Sequence, residues 1–141
     1  VKIDVRYVSP GTFEATSESG ATLRMEGPAD MGGPGLAPRP METLLAALAG
    51  CSSVDVVKIL TQQKEPLEGL VVRVDGTRAD AIPAVFTHIR VVFEIAGPVA
   101  ENKARRAVAL SMEKYCSVTK MLEQTVTIAH EVVLSGSTPA G

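Results

Sequence analysis

Two cysteines in 141 residues are too few to build a disulfide scaffold. Cytosolic thiols are therefore the expectation, and in that compartment a disulfide would be transient, catalytic or redox-sensing. A surplus of basic charge is also missing. The formal net charge is −2, with Lys and Arg scattered along the chain, which implies no general affinity for nucleic acid. No apolar run free of charge reaches the roughly 18 residues of a membrane span. The opening VKIDVRYV alternates instead of placing a basic start before an apolar block, so no secretory leader is expected. Internal repeats are absent. Among Cys51, Cys116, His88 and His130 no pair has the short spacing of a zinc site.

With 45% apolar and 21% charged residues, the composition is that of an ordinary globular protein, expected to form a single domain over 1–141. Ile3, Val5 and Tyr7 alternate with Lys2, Asp4 and Arg6 as in a half-buried strand. TFEATS and ATLRME follow across short turns, predicting an antiparallel meander. Residues 27–40 hold four Gly and four Pro, which excludes regular structure and suggests a mobile or lid-like loop. GGPG within it lacks the Gly-Lys-Ser/Thr that a phosphate loop requires.

From Pro40 the only breaker before Pro66 is Gly50, and Leu44–Leu48 is apolar on every side, so a long enclosed helix is predicted. A hairpin around DAIPA follows, with Val85, Thr87, Ile89, Val91, Phe93 and Ile95 on one face and Phe86, His88, Arg90 and Glu94 on the other. Next come a helix over roughly 99–115 with a buried stripe of Val108, Met112 and Tyr115, and a short helix capped by Ser117. A last strand carries His130 on its apolar face with Ile128 and Val132, and residues 135–141 are expected to fray. The order is that of an α+β fold, a long helix against a curved antiparallel sheet.

The chemistry, if present, lies with the thiols. Cys116 precedes a helix start, where free N–H groups favour a thiolate. Cys51 sits among Ala47, Ala49, Gly50, Ser52 and Ser53, so little bulk blocks its sulfur. Against this, Cys51 lies about ten residues into its helix, too deep for the helix dipole to help. Asp55, one turn on, would oppose ionisation if it faced the sulfur. Free cysteine is also a common core residue. Composition and spacing leave both readings open.

RPMETLLAALAGCSSVDVVKIL and EKYCSVTKMLE resemble the two cysteine segments of the OsmC/Ohr family of thiol peroxidases, with FTHI in the penultimate strand as in its YhfA-like branch. The resemblance runs over nearly the whole chain. It implies an OsmC-like fold, curved antiparallel sheets packed around a long central helix, in an intertwined homodimer with active sites at the subunit interface. It implies a peroxidatic Cys51, a resolving Cys116, a hydroperoxide substrate and an external dithiol reductant, with no metal or organic cofactor, no nucleic acid and no membrane. Cytoplasmic location and a part in stress response go with it.

Relatives that confer hydroperoxide resistance hold the thiolate with a glutamate directly after the helix proline and an arginine from the N-terminal strands. Here Met41 follows Pro40 and the carboxylate is Glu42, about 100° further round the helix. The arginine-bearing segment reads GTFEATS, without a base, leaving Arg24 and Arg39 as substitutes. Nine residues of helix, a rise of roughly 13 Å, separate Glu42 from Cys51. Glu42 therefore acts at the thiol only if the helix breaks early or the contact comes from the other chain. The alternative function is a non-catalytic module of the same fold binding an apolar small molecule at the dimer interface.

Overall fold

The computed structural model describes residues 1–136. The chain divides into two compact units, residues 1–44 and 45–141. In the first, β1 (Ile3–Ser9), β2 (Thr12–Ser17) and β3 (Thr22–Glu26) form the expected antiparallel meander in the order β1-β2-β3. Its register places Arg6 opposite Glu14 and Glu14 opposite Arg24, and both arginines bond that carboxylate, at 2.9 and 3.3 Å. On the other face Tyr7 pairs with Phe13, ring edge to ring face at 6.0 Å. The strands alternate as predicted, but β1 is not half-buried: Ile3, Val5 and Tyr7 are 55–64% exposed.

The Gly/Pro loop is anchored rather than lid-like. The buried carboxylate of Glu26 accepts hydrogen bonds from the backbone N–H groups of Gly35, Leu36 and Ala37 at 2.6, 2.8 and 2.8 Å. A single 3-10 turn, Ala29–Met31, breaks the expectation that no helical segment survives there. Gly11, at φ +69°, meets this loop so closely that a Cβ would lie 2.3 Å from the Gly33 nitrogen.

Helix α1 (Pro40–Gln62) is continuous over 23 residues. Its buried side chains, Leu48, Ser52, Val56 and Leu60, recur every fourth residue, one narrow stripe on a helix that is apolar elsewhere too. The enclosure expected around Leu44–Leu48 is therefore incomplete in this chain. By length and composition α1 would also pass for a membrane span: an 18-residue window reaches a mean hydropathy of 1.7, with 22% of it buried. The charge-free criterion missed this because Asp55 and Lys58 interrupt the apolar run without lowering its mean enough.

The second unit continues with β4 (Gly69–Arg78), β5 (Phe86–Ala96), α2 (Glu101–Leu110), a π-helical turn (Ser111–Tyr115), α3 (Ser117–Leu122) and β6 (Thr127–Leu134), the sheet order being β4-β5-β6. Ile89, Val91, Phe93 and Ile95 are buried and, with Leu48, Val56, Leu60, Ala104, Ala107 and Val108, supply the core, whereas Val85, assigned to the same face, precedes the strand and is exposed. Full burial of each larger side chain is worth about 1.5–3 kcal/mol.

Several expectations are corrected here. Phe86 is buried instead of sharing the face of His88, because a bulge at Thr77/Arg78 shifts the register and turns its ring over Gly76. β6 pairs with β5 in parallel, so the sheet is mixed: the connection between them is a helical crossover, not a hairpin. Tyr115 is 50% exposed, since the π turn inserts a residue and rotates it off the stripe of Val108 and Met112. His130 is exposed, on an edge strand with no further strand beyond it among the described residues. Of the tail expected to fray, Ser135 and Gly136 are tied by backbone hydrogen bonds to Ile95 and Gly97, and residues 137–141 lie outside the described residues.

Candidate functional site

Small residues set the surroundings of Cys51. Ser52 and Ser53 fold their hydroxyls back onto the helix, Ser52 donating to the carbonyls of Leu48 and Ala49 and Ser53 to that of Ala49. A Cβ added at Gly50 would meet nothing within 4 Å. The Cys51 thiol is half-buried and free.

Cys116 is free and fully buried. The π turn delivers it: the Cys116 N–H donates to the Ser111 carbonyl at 2.8 Å, which closes the turn and drops the chain into extended geometry, φ −72° and ψ 107°. Cys116, and not Ser117, is the N-cap of α3, its sulfur accepting from the Thr119 N–H at 3.4 Å. The expected thiolate-favouring position is therefore present, yet the balance goes the other way. Burial pushes the Cys116 thiol above its ordinary pKa, hydrogen bonds from Thr119 only partly offset it, and side-chain hydrogen bonding and charge interaction with Cys51 push it further up. That last contribution means that the two thiols, 65 positions apart in sequence, are neighbours in the fold.

What joins their segments is a residue the sequence reading passed over. Ser111 is fully buried at the start of the π turn, and its hydroxyl lies 2.9 Å from the Asp55 carboxylate and 3.3 Å from the Ser52 carbonyl. It thus fastens the turn leading to Cys116 onto the stretch of α1 that follows Cys51. Asp55 accepts this bond through one carboxylate oxygen. The available signal was a serine in an otherwise apolar helical stripe, since a buried polar side chain is the informative exception.

Glu42 is not part of this cluster in the second unit. It occupies the third position of α1 and reaches back to accept the Arg39 N–H at 2.9 Å, half of a capping box, while the Thr43 hydroxyl donates to the Arg39 carbonyl. The early helix break that would carry it elsewhere does not occur. Arg24 is engaged by Glu14, and Arg39 contributes its charge to Glu26. Among the described residues no three of His, Cys, Asp and Glu gather as metal ligands. Among the described residues the exposed His88 ring bonds its neighbour Thr87.

The family described as OsmC-like protein matches residues 33–131, which include both thiols and the elements that carry them. Protein YhfA of Escherichia coli (strain K12) is 40% identical over 127 residues, 89% of this chain and 92% of its own length. The chain belongs to the OsmC-like family. Among solved structures, a hypothetical protein from Aquifex aeolicus VF5 is 29% identical with a TM-score of 0.80, over 95% of this chain and 96% of its own. An organic hydroperoxide resistance protein from Legionella pneumophila aligns at a TM-score of 0.69 over 94% of this chain and 97% of its own, at 19% identity, and so shares the fold.

Proposed function

We propose that this chain is a thiol-dependent peroxidase of the OsmC-like family, acting on organic hydroperoxides. The observation that carries the reading is the juxtaposition of Cys51 with Cys116, one half-buried and the other fully buried. Cys51 attacks the distal peroxide oxygen as its thiolate; the O–O bond breaks, the alcohol leaves with a proton, and Cys51 becomes a sulfenic acid. Cys116 then displaces the sulfenic hydroxyl, water leaves, and a Cys51–Cys116 disulfide remains. An external dithiol takes up the disulfide bond and returns both thiols.

Burial of Cys116 supports this division of labour. A thiol held protonated beside Cys51 does not compete for peroxide, and once Cys51 is a neutral sulfenic acid the opposing charge is gone.

The protein acts as a homodimer. Supporting this, Ile3, Val5 and Tyr7 on β1, and separately Val54 and Val57 on α1, are 40–67% exposed, apolar side chains that a second copy would cover. Glu42, with no break in α1 to bring it to its own Cys51, enters the site only from the second copy. The two units are read as one domain, since α1 and the family match both continue through residue 44. A cytoplasmic location suits two thiols kept reduced between turnovers.

The experiment is steady-state consumption of cumene hydroperoxide with a dithiol as reductant. Turnover with a transient intramolecular disulfide is expected; no consumption and no change in thiol mass would leave the fold without this activity.

A further inference from the structure

A second feature of the C-terminal unit is unrelated to peroxide. A cavity of about 520 Å³ opens between the last turns of α1 and the α2–π-turn segment, within the range of sites that take small organic ligands. Lys58 comes to it from α1 and Arg106 from α2. Among the described residues neither has a carboxylate or a hydrogen-bond partner, whereas the unit's other arginines, Arg73, Arg78, Arg90 and Arg105, each have one.

The one acid in the wall, Asp55, accepts the Ser111 hydroxyl through one oxygen and keeps its charge, so two cations face the cavity against one carboxylate and the lining is net positive. Ile59, Leu110 and the ring of Tyr115 line it beside them, giving the site an apolar side as well as a positive one.

We propose that this cavity binds a small organic carboxylate with a flat, apolar body. The Arg106 guanidinium supplies the fork that matches a carboxylate with two parallel hydrogen bonds, Lys58 adds a point charge, and the aromatic and aliphatic wall takes the body. In a chain of net charge −2, a cavity lined by two cations and one acid selects by sign, and the apolar wall selects against simple inorganic anions.

The test is an amide chemical-shift titration of the full chain with three probes: 4-methylbenzoate, its neutral isostere 4-methylbenzamide, and inorganic phosphate. 4-Methylbenzoate should give saturable shifts at the cavity residues with a dissociation constant on the order of 1–10 mM. The benzamide and phosphate should each bind at least about tenfold more weakly, and Arg106→Gln or Lys58→Gln should each cost the benzoate about tenfold, the size of a lost charge-assisted contact. Both variants should keep the parent's spectrum away from the cavity, which separates lost binding from lost folding.

Shifts that still rise linearly at about 100 mM, or no shifts at all, would overturn the site. Equal binding of benzamide would overturn the charge assignment, and tighter binding of phosphate would overturn the organic body. Full binding by both variants would overturn the named residues. None of these outcomes depends on whether the thiols turn over peroxide.

Discussion

Removing the Ser111 hydroxyl should loosen the thiol pair without touching either sulfur. Ser111→Ala keeps the Cβ and so almost all of the packing of a fully buried position. It deletes one donor whose proton is divided between a carboxylate oxygen at 2.9 Å and a carbonyl at 3.3 Å. A hydrogen bond to a charged acceptor contributes about 1.5–3 kcal/mol net. Asp55 is only half-buried and can recover part of that from water, and the Ser52 carbonyl lies inside α1, where the helix ladder still occupies it. The expected loss is therefore about 1–2 kcal/mol, or roughly 3–6 °C in Tm for a chain of this size.

Asp55→Asn keeps an acceptor and loses the charge, so it should cost about half as much, and the double variant should cost little more than Ser111→Ala alone, because both changes act on one bond. Urea denaturation of the four proteins measures the cycle. A functional readout follows from the position of the bond. After one equivalent of hydroperoxide, Ser111→Ala should form the sulfenic acid at the parent rate but the disulfide several-fold more slowly. If Ser111→Ala stays within about 0.3 kcal/mol of the parent and closes the disulfide at the same rate, the bond does not position Cys116 and the reasoning fails.

Cys51→Ser should abolish peroxide consumption, while Cys116→Ser should consume one equivalent and then, with excess peroxide, gain two oxygens as an irreversible sulfinic acid, both read by intact mass; continued cycling of Cys116→Ser with Cys51 unchanged would reverse the roles. Glu26 gives a pH dependence. Burial alone would raise its pKa, but hydrogen bonds from Leu36, Gly35 and Ala37 and the charge of Arg39 bring it below the ordinary value. A carboxylate depressed in the folded state stabilises it above the unfolded value, near 4.3, and loses that contribution as pH falls through the folded value, so amide exchange at Gly35–Ala37 should quicken selectively below about pH 4. Glu26→Gln should show the faster exchange already at neutral pH. Light scattering at micromolar concentration should give twice the chain mass, and Val54→Asp should shift it toward one chain; a monomeric parent would refute the dimer.

How much of this was legible beforehand differs by kind of feature. The meander, the long helix and the buried face of β5 follow from local periodicity, which the sequence displays directly, and the family motifs brought the two thiols to notice. The misses share a cause. Whether β6 runs parallel or antiparallel is invisible in its alternation, although two helical segments between β5 and β6 are long enough to carry the chain back across the sheet. Burial of β1 and α1 was inferred from apolar content, but apolar content states only that a surface needs cover, not that the same chain provides it.

The π turn explains most of what was misread near the site. In SMEKYC a 3.6-residue period continues without any visible fault, and it places Tyr115 on the buried stripe and leaves Ser111 as an ordinary helix residue. One extra residue in the turn reverses both assignments: Tyr115 swings out to line the cavity, and the Ser111 carbonyl closes on the Cys116 N–H. The same shift buries the sulfur of Cys116. That burial outweighs the helix-start N–H groups on which a thiolate had been expected. A helix end and a buried position push a thiol in opposite directions, and only three-dimensional placement decides between them. Here burial wins, and the protonated partner is the thiol that sequence reasoning would have ionised.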